Sequence, residues 1–121
     1  IEKPETIATA IRIGKPASWD LAVAARDDSG GLIDAVTDDQ ILDAYRVLAD
    51  KEGFFVEPSS AASVAGLIQQ AQRGLVDAGS TIVCTVTGNG LKDTQWALES
   101  AKDPVVVPVD VKAAAAALGL A

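Results

Sequence analysis

Histidine is absent from this sequence. No histidine-based acid–base pair, catalytic triad or histidine-liganded zinc site can be assembled from its residues. Methionine is absent too, including at position 1, which predicts a processed or truncated product. Cys84 is the single cysteine. There is no disulfide framework, so an intracellular, cytoplasmic origin is expected. Cys84 lies in an apolar run with no cation nearby in sequence to stabilise a thiolate, and we read it as structural rather than nucleophilic. No apolar run approaches the ~18 residues of a membrane-spanning helix, and no signal-peptide pattern opens the chain. Positive charge is scarce, with 10 Lys and Arg against 17 Asp and Glu. The resulting net charge of −7 argues against nucleic acid as the main partner. Residues 1–60 hold 12 acidic against 6 basic side chains, and residues 61–121 hold 5 against 4. The pairs Asp27-Asp28 and Asp38-Asp39 read as solvated loop and helix-start positions, so no metal site is expected.

What is present points to one ordered domain. Apolar residues make up 49% of 121 positions, enough for a real core but not for two. Ile1–Lys15 reads as an extended or short helical entry segment around Ile7–Ile13. Ser18 is placed to cap a helix from Trp19 to about Arg26, stopped by Ser29-Gly30-Gly31. Leu32–Val36 predicts a short strand near a sheet edge, with Asp34 on one side. Thr37 followed by Gln40 is a capping-box signature, and Asp38 and Asp39 suit the positive end of the helix dipole. That helix is expected to reach Lys51, to bury Ile41, Leu42, Tyr45, Leu48 and Ala49, and to stop at Gly53. Phe54–Val56 predicts a buried strand. A helix from Ser59 to Arg73 follows, with Ala61, Val64, Ala65, Ile68 and Ala71 on one stripe. Thr81–Val86, apolar and β-branched, suits a strand buried on both faces of a parallel sheet. Residues 93–101, with Asp93 as N-cap, predict another helix. Pro104–Val109 reads as extended and Val111–Leu118 as a terminal helix. Strand and helix alternate throughout, so the class is α/β. There is no internal repeat and no linker.

Two junctions could carry chemistry. Thr87-Gly88-Asn89-Gly90 leaves the carboxyl end of the Thr81–Val86 strand, where open α/β sheets bind ligands. Its glycines and asparagine tolerate positive φ and let a ligand approach the backbone. A threonine hydroxyl there can pair with an anion or a ring nitrogen. The spacing to Lys92 is wrong for a phosphate-binding Walker loop, and no dinucleotide fingerprint is present. On local sequence alone, a tight turn with a helix cap describes it as well. Glu57 sits at the second junction, before Pro58-Ser59-Ser60, and is equally an acidic residue at a helix start. Ser59 and Ser60 read as caps rather than nucleophiles, and Lys15 and Lys92 as solvated side chains.

Three segments taken together carry a resemblance. These are Thr9-Ala10-Ile11-Arg12-Ile13-Gly14, Phe55-Val56-Glu57-Pro58-Ser59-Ser60-Ala61-Ala62-Ser63 and Thr85-Val86-Thr87-Gly88-Asn89-Gly90-Leu91-Lys92-Asp93. In order along nearly the whole chain, they resemble the carboxyl-terminal third of the bacterial threonine synthases. That family lies within the fold-type II, tryptophan-synthase-β-like group of pyridoxal 5'-phosphate enzymes. The resemblance implies a three-layer, open, mostly parallel sheet with flanking helices, here as an incomplete piece. It assigns residues 1–121 to the carboxyl-terminal portion of the large, cofactor-binding domain. The reaction implied is conversion of O-phospho-L-homoserine and water to L-threonine and phosphate, in a cytoplasmic enzyme of threonine biosynthesis. Thr87 corresponds to the residue that hydrogen-bonds the pyridine nitrogen of the cofactor, and Glu57 to a glutamate near its ring. The backbone at Thr9-Ala10 corresponds to a strand end lining the same cleft. The family's Schiff-base lysine, its cofactor-stacking asparagine and its glycine-rich phosphate loop have no counterpart here. The resemblance therefore implies a fragment with no catalytic residue of its own, inactive alone and prone to self-association through surface its parent covers. Two alternatives stay open at this point: a piece of a threonine/serine dehydratase-like enzyme, and a non-catalytic α/β module that binds a small anion.

Overall fold

The computed structural model describes residues 1–120. Five α-helices and two single 3₁₀ turns make up its regular structure. Helix α1 spans Trp19–Ser29 and ends at Gly30, whose φ of 64° lies in the left-handed region that favours glycine. Ser18 precedes it without placing its hydroxyl on the first turn, contrary to the capping expected of it. Helix α2, Asp38–Glu52, carries the full capping box. The Gln40 amide donates to Thr37 Oγ1 at 3.2 Å, and the Thr37 amide donates to Gln40 Oε1 at 2.8 Å. Gly53 closes α2 with a φ of 72°. Helix α3, Pro58–Gln72, begins on a proline, whose fixed φ suits a first turn that needs no N–H. After a 3₁₀ turn at Gly90–Lys92 come the short helices α4, Gln95–Ser100, and α5, Val111–Ala117. Asp93 does not start α4, whose N-cap is Thr94; it closes the 3₁₀ turn instead, its amide donating to the Gly90 carbonyl at 3.2 Å. Asn89 accepts from the Leu91 amide, and Asp110 accepts from the Ala113 amide to start α5.

The core is the seam between α2 and α3. Ile41, Ala44, Tyr45 and Leu48 recur at i, i+3, i+4 and i+7 on α2, and bury against Ala61 and Ala65 of α3. Small residues on α3 let the two helices approach closely, and Ala8 and Val56 close the ends of the seam. Leu42 is half-buried, while Ala49 and Ala71 are exposed, so the buried stripe is narrower than their spacing suggests. Gln69 is buried instead, its amide nitrogen donating to the Ala35 carbonyl at 3.2 Å. The entry segment is tied to α2 through Asp38, which accepts from the Thr6 hydroxyl at 2.5 Å and the Ile7 amide at 3.3 Å. Asp34 fastens the 32–36 segment to α3 by accepting from Gln70 at 3.0 Å and Arg73 at 2.8 Å. The Ala35 amide first, and the Arg73 guanidinium next, hold the Asp34 carboxyl below the ordinary carboxylate value.

The expected strands do not form a sheet. Among the described residues there is no strand, only an isolated antiparallel bridge between Val56 and Asn89. Residues 32–36, 81–86 and 104–109 make no backbone hydrogen bonds to one another. A strand takes its hydrogen bonds from neighbours, so an apolar, β-branched run with none beside it has the composition of a strand without the ladder. These runs are open rather than buried: Val83 is 86% exposed and Val106 92% exposed. Cys84, in the same run, is only half-buried.

Candidate functional site

The site grows from the Val56–Asn89 bridge. The Glu57 amide donates to the Gly88 carbonyl at 3.0 Å, and the Gly90 amide donates to the Phe55 carbonyl at 3.1 Å. These two bonds clamp the start of α3 to the Thr87–Gly90 loop, so the two junctions singled out in the sequence meet in space. Helix α3 adds a third bond, in which the Gly88 amide donates to Ser60 Oγ at 2.6 Å. Ser60 is buried, and its hydroxyl oxygen stands 3.4 Å from Thr87 Oγ1. One turn further along, the Ser63 hydroxyl donates to the Thr85 carbonyl at 3.2 Å. Ser60 therefore reaches across to the loop rather than capping its own helix, a role its position in the sequence did not suggest.

The two glycines of the loop are needed for closeness, not for positive φ. Neither is among the left-handed residues. A Cβ at Gly88 would overlap the Glu57 carboxylate, and one at Gly90 would lie 2.5 Å from the Phe55 ring. Glu57 is thus folded beneath Gly88, 6% exposed, while Thr87 beside it is exposed. The result is an exposed threonine on a backbone held from below by two buried residues, Glu57 and Ser60.

Other candidates lie elsewhere. The Thr9 hydroxyl donates to Asp93 Oδ2 at 2.9 Å, which ties the Thr9–Ile11 turn to the end of the same loop. Asp93 also faces Tyr45: burial first, and the Asp93 charge second, push the Tyr45 phenol above its ordinary value. Lys92 is exposed, and Lys15 borders a separate cleft of about 550 Å³ with Ile13 and Trp19. A concavity of about 530 Å³ lies between the 32–36 segment and α3, lined by Leu32, Val36, Ala62, Ser63 and Gln69. Another, of about 320 Å³, is lined by Thr9, Arg12, Asp38, Gln95 and Trp96. Thr87 borders none of these three. No helix among the described residues is long and apolar enough to cross a membrane.

The family described as pyridoxal-phosphate dependent enzyme matches residues 1–88. A threonine synthase of Halalkalibacterium halodurans is 57% identical over 114 residues, covering 93% of this chain and 32% of that protein. A threonine synthase of Mycobacterium tuberculosis is 55% identical over 121 residues, covering 100% of this chain and 34% of that protein. One from Methanocaldococcus jannaschii is 47% identical over 110 residues, or 91% of this chain and 27% of that protein. The chain spans about a third of the length of the curated relatives it matches.

Proposed function

The chain belongs to the pyridoxal-phosphate dependent enzyme family, and from that premise we propose that it is part of a threonine synthase. Residues 1–121 would be the carboxyl-terminal portion of its large, cofactor-binding domain. Family membership supports the α/β class. In the whole protein, residues 32–36, 81–86 and 104–109 would join a three-layer, mostly parallel sheet. The proposed reaction of that protein is conversion of O-phospho-L-homoserine and water to L-threonine and phosphate, in the cytoplasm and in a homo-oligomer.

One observation carries the reading at this chain's own residues. Thr87, an exposed residue, offers its hydroxyl on a backbone clamped by three hydrogen bonds of 2.6, 3.0 and 3.1 Å. Such a group fits the pyridine nitrogen of pyridoxal phosphate, since it can donate to an unprotonated ring nitrogen. A hydroxyl is no carboxylate counter-ion, so it does not hold that nitrogen protonated. Glu57, under Gly88, adds negative charge on the same wall. The cofactor, when bound, supplies an electron sink for elimination and replacement at the substrate's carbon chain. The lysine that anchors it and the loop that holds its phosphate would come from other parts of the parent.

The test uses the full-length parent protein. Phosphate release from O-phosphohomoserine with equimolar threonine supports the reading. Release of a ketoacid from threonine or serine instead points to a dehydratase, and neither product points to a binding module. Thr87→Val removes one hydrogen bond, which is expected to lower kcat/KM about 2–13-fold. An unchanged kcat/KM would remove Thr87 from the site.

A further inference from the structure

We propose that Ser60 is a positioning residue that fixes which way the Thr87 hydroxyl donates. The inference rests on Thr87 as the partner of the ring nitrogen, and deepens that reading.

Ser60 lies in the first turn of α3 and is 3% exposed. Its oxygen accepts from the Gly88 amide at 2.6 Å. A backbone amide can only donate, so this bond occupies a lone pair and leaves the single Ser60 proton to find an acceptor. Thr87 Oγ1, at 3.4 Å, is the side-chain acceptor within reach among the described residues. Were Thr87 to donate to Ser60 instead, Ser60 would receive two donors and keep its own proton unpaired in a buried place. Buried polar groups avoid that arrangement. The proton order therefore runs from the Gly88 amide to Ser60 Oγ, and from the Ser60 hydroxyl to Thr87 Oγ1. With Ser60 donating, the Thr87 proton is kept off the Ser60 side and held among the outward positions of its rotor. An outward proton makes Thr87 a donor to whatever faces it, and a ring nitrogen that accepts a hydrogen bond is one that carries no proton. Without the Ser60 hydroxyl, the Thr87 rotor is free to turn and accept from a protonated ring nitrogen instead.

Two measurements on the full-length parent test this. The first is amide hydrogen exchange of the cofactor-free protein. Ser60→Ala should speed exchange in the peptide containing Gly88 and leave α2 unaltered, while Ser60→Thr, which keeps the hydroxyl, should restore protection. The second is the nitrogen magnetic-resonance signal of pyridoxal phosphate labelled with ¹⁵N in its ring, followed across neutral pH in the holoenzyme. Wild type and Ser60→Thr should stay at the unprotonated position, and Ser60→Ala should move toward the protonated one as pH falls. Faster Gly88 exchange with an unmoved ring signal in Ser60→Ala would overturn the proposal, leaving Ser60 as a mere packing residue. A ring signal unmoved by Thr87→Val as well would mean that Thr87 does not face the ring, and the functional reading would fall with it. Circular dichroism of each variant identifies any that has lost its helices. Loss of helix in both Ser60 variants would overturn the proposal in favour of a purely structural role.

Discussion

Gly88 has no room for a side chain, and substituting it gives a sharp test of the site's packing. The Cβ of an alanine would overlap the Glu57 carboxylate and lie 2.7 Å from its Cγ. Glu57 cannot simply swing aside: it is 6% exposed, its amide is bonded to Gly88 at 3.0 Å, and the next residue, Pro58, is fully buried. Gly88 is not in the left-handed region, so its replacement brings no backbone strain. The cost is overpacking, expected at about 1–3 kcal/mol for Gly88→Ala. The origin of that cost can be isolated by a cycle of four proteins: wild type, Gly88→Ala, Glu57→Ala and the double variant. If the clash is the cause, Glu57→Ala opens the space and the double variant recovers most of the loss. A coupling of about 1–2 kcal/mol is then expected. The bond from the Gly88 amide to Ser60 is present in all four, so it cancels. Urea denaturation reads the cycle, with midpoints compared at a common slope. Additive single losses, or a Gly88→Ala as stable as wild type, would refute the packing of Glu57 beneath the loop.

Three further outcomes are expected. Thr37→Ala removes the hydroxyl of the capping box and should cost about 1 kcal/mol, lowering Tm by about 3–5 °C in a thermal melt. Tyr45 is the only tyrosine, so an ultraviolet titration reads it directly, and its midpoint should lie above 10.0. The folded state then holds the phenol proton more tightly than the unfolded chain does. Stability from this group is intact below about pH 10 and is lost as pH rises through the raised value, a loss that Tyr45→Phe should abolish in alkaline denaturation curves. The open apolar runs predict self-association of the chain, seen as a light-scattering mass that rises with concentration and falls in a Val83→Lys, Val106→Lys variant. A constant monomer mass would count against it.

The sequence is most legible where structure is local. The capping box of α2 and the glycine stop at residue 53 depend on residues within a few positions of one another, and each is formed as read. The start of α3 is read one residue late, because Pro58 is itself the first helical residue. Long-range partners are not written that way. The β-branched composition of residues 81–86 marks a strand, but the bonds that make it one must come from other backbone, and none is provided within residues 1–120. Ala49 and Ala71 matched the helical period yet lie open, because alanine carries too little apolar surface to define a stripe by itself. Gln69 is buried because the Ala35 carbonyl happens to meet it, a pairing across 34 positions that no periodicity announces. At the site, Thr87 and Glu57 were visible as strand-end residues. The resemblance also sets both beside one ring, and the structure joins the two junctions. Ser60 reads as a cap because its acceptor role needs Gly88, 28 positions away. The loop glycines read as points of conformational freedom, and in the structure they serve as clearance.

The clasp between α3 and the Thr87–Gly90 loop has a consequence for how readily it opens. Ser60 and Gly88 are 28 positions apart, and closing a loop of that length costs about 3 kcal/mol in chain entropy. Three hydrogen bonds at roughly 0.5–1.5 kcal/mol each return a similar amount. The clasp is therefore close to balance, a hinge-like latch whose shut state is easily tipped. A molecule that grips the Thr87 side draws the latch closed by mass action, so that occupancy and rigidity of this corner rise together.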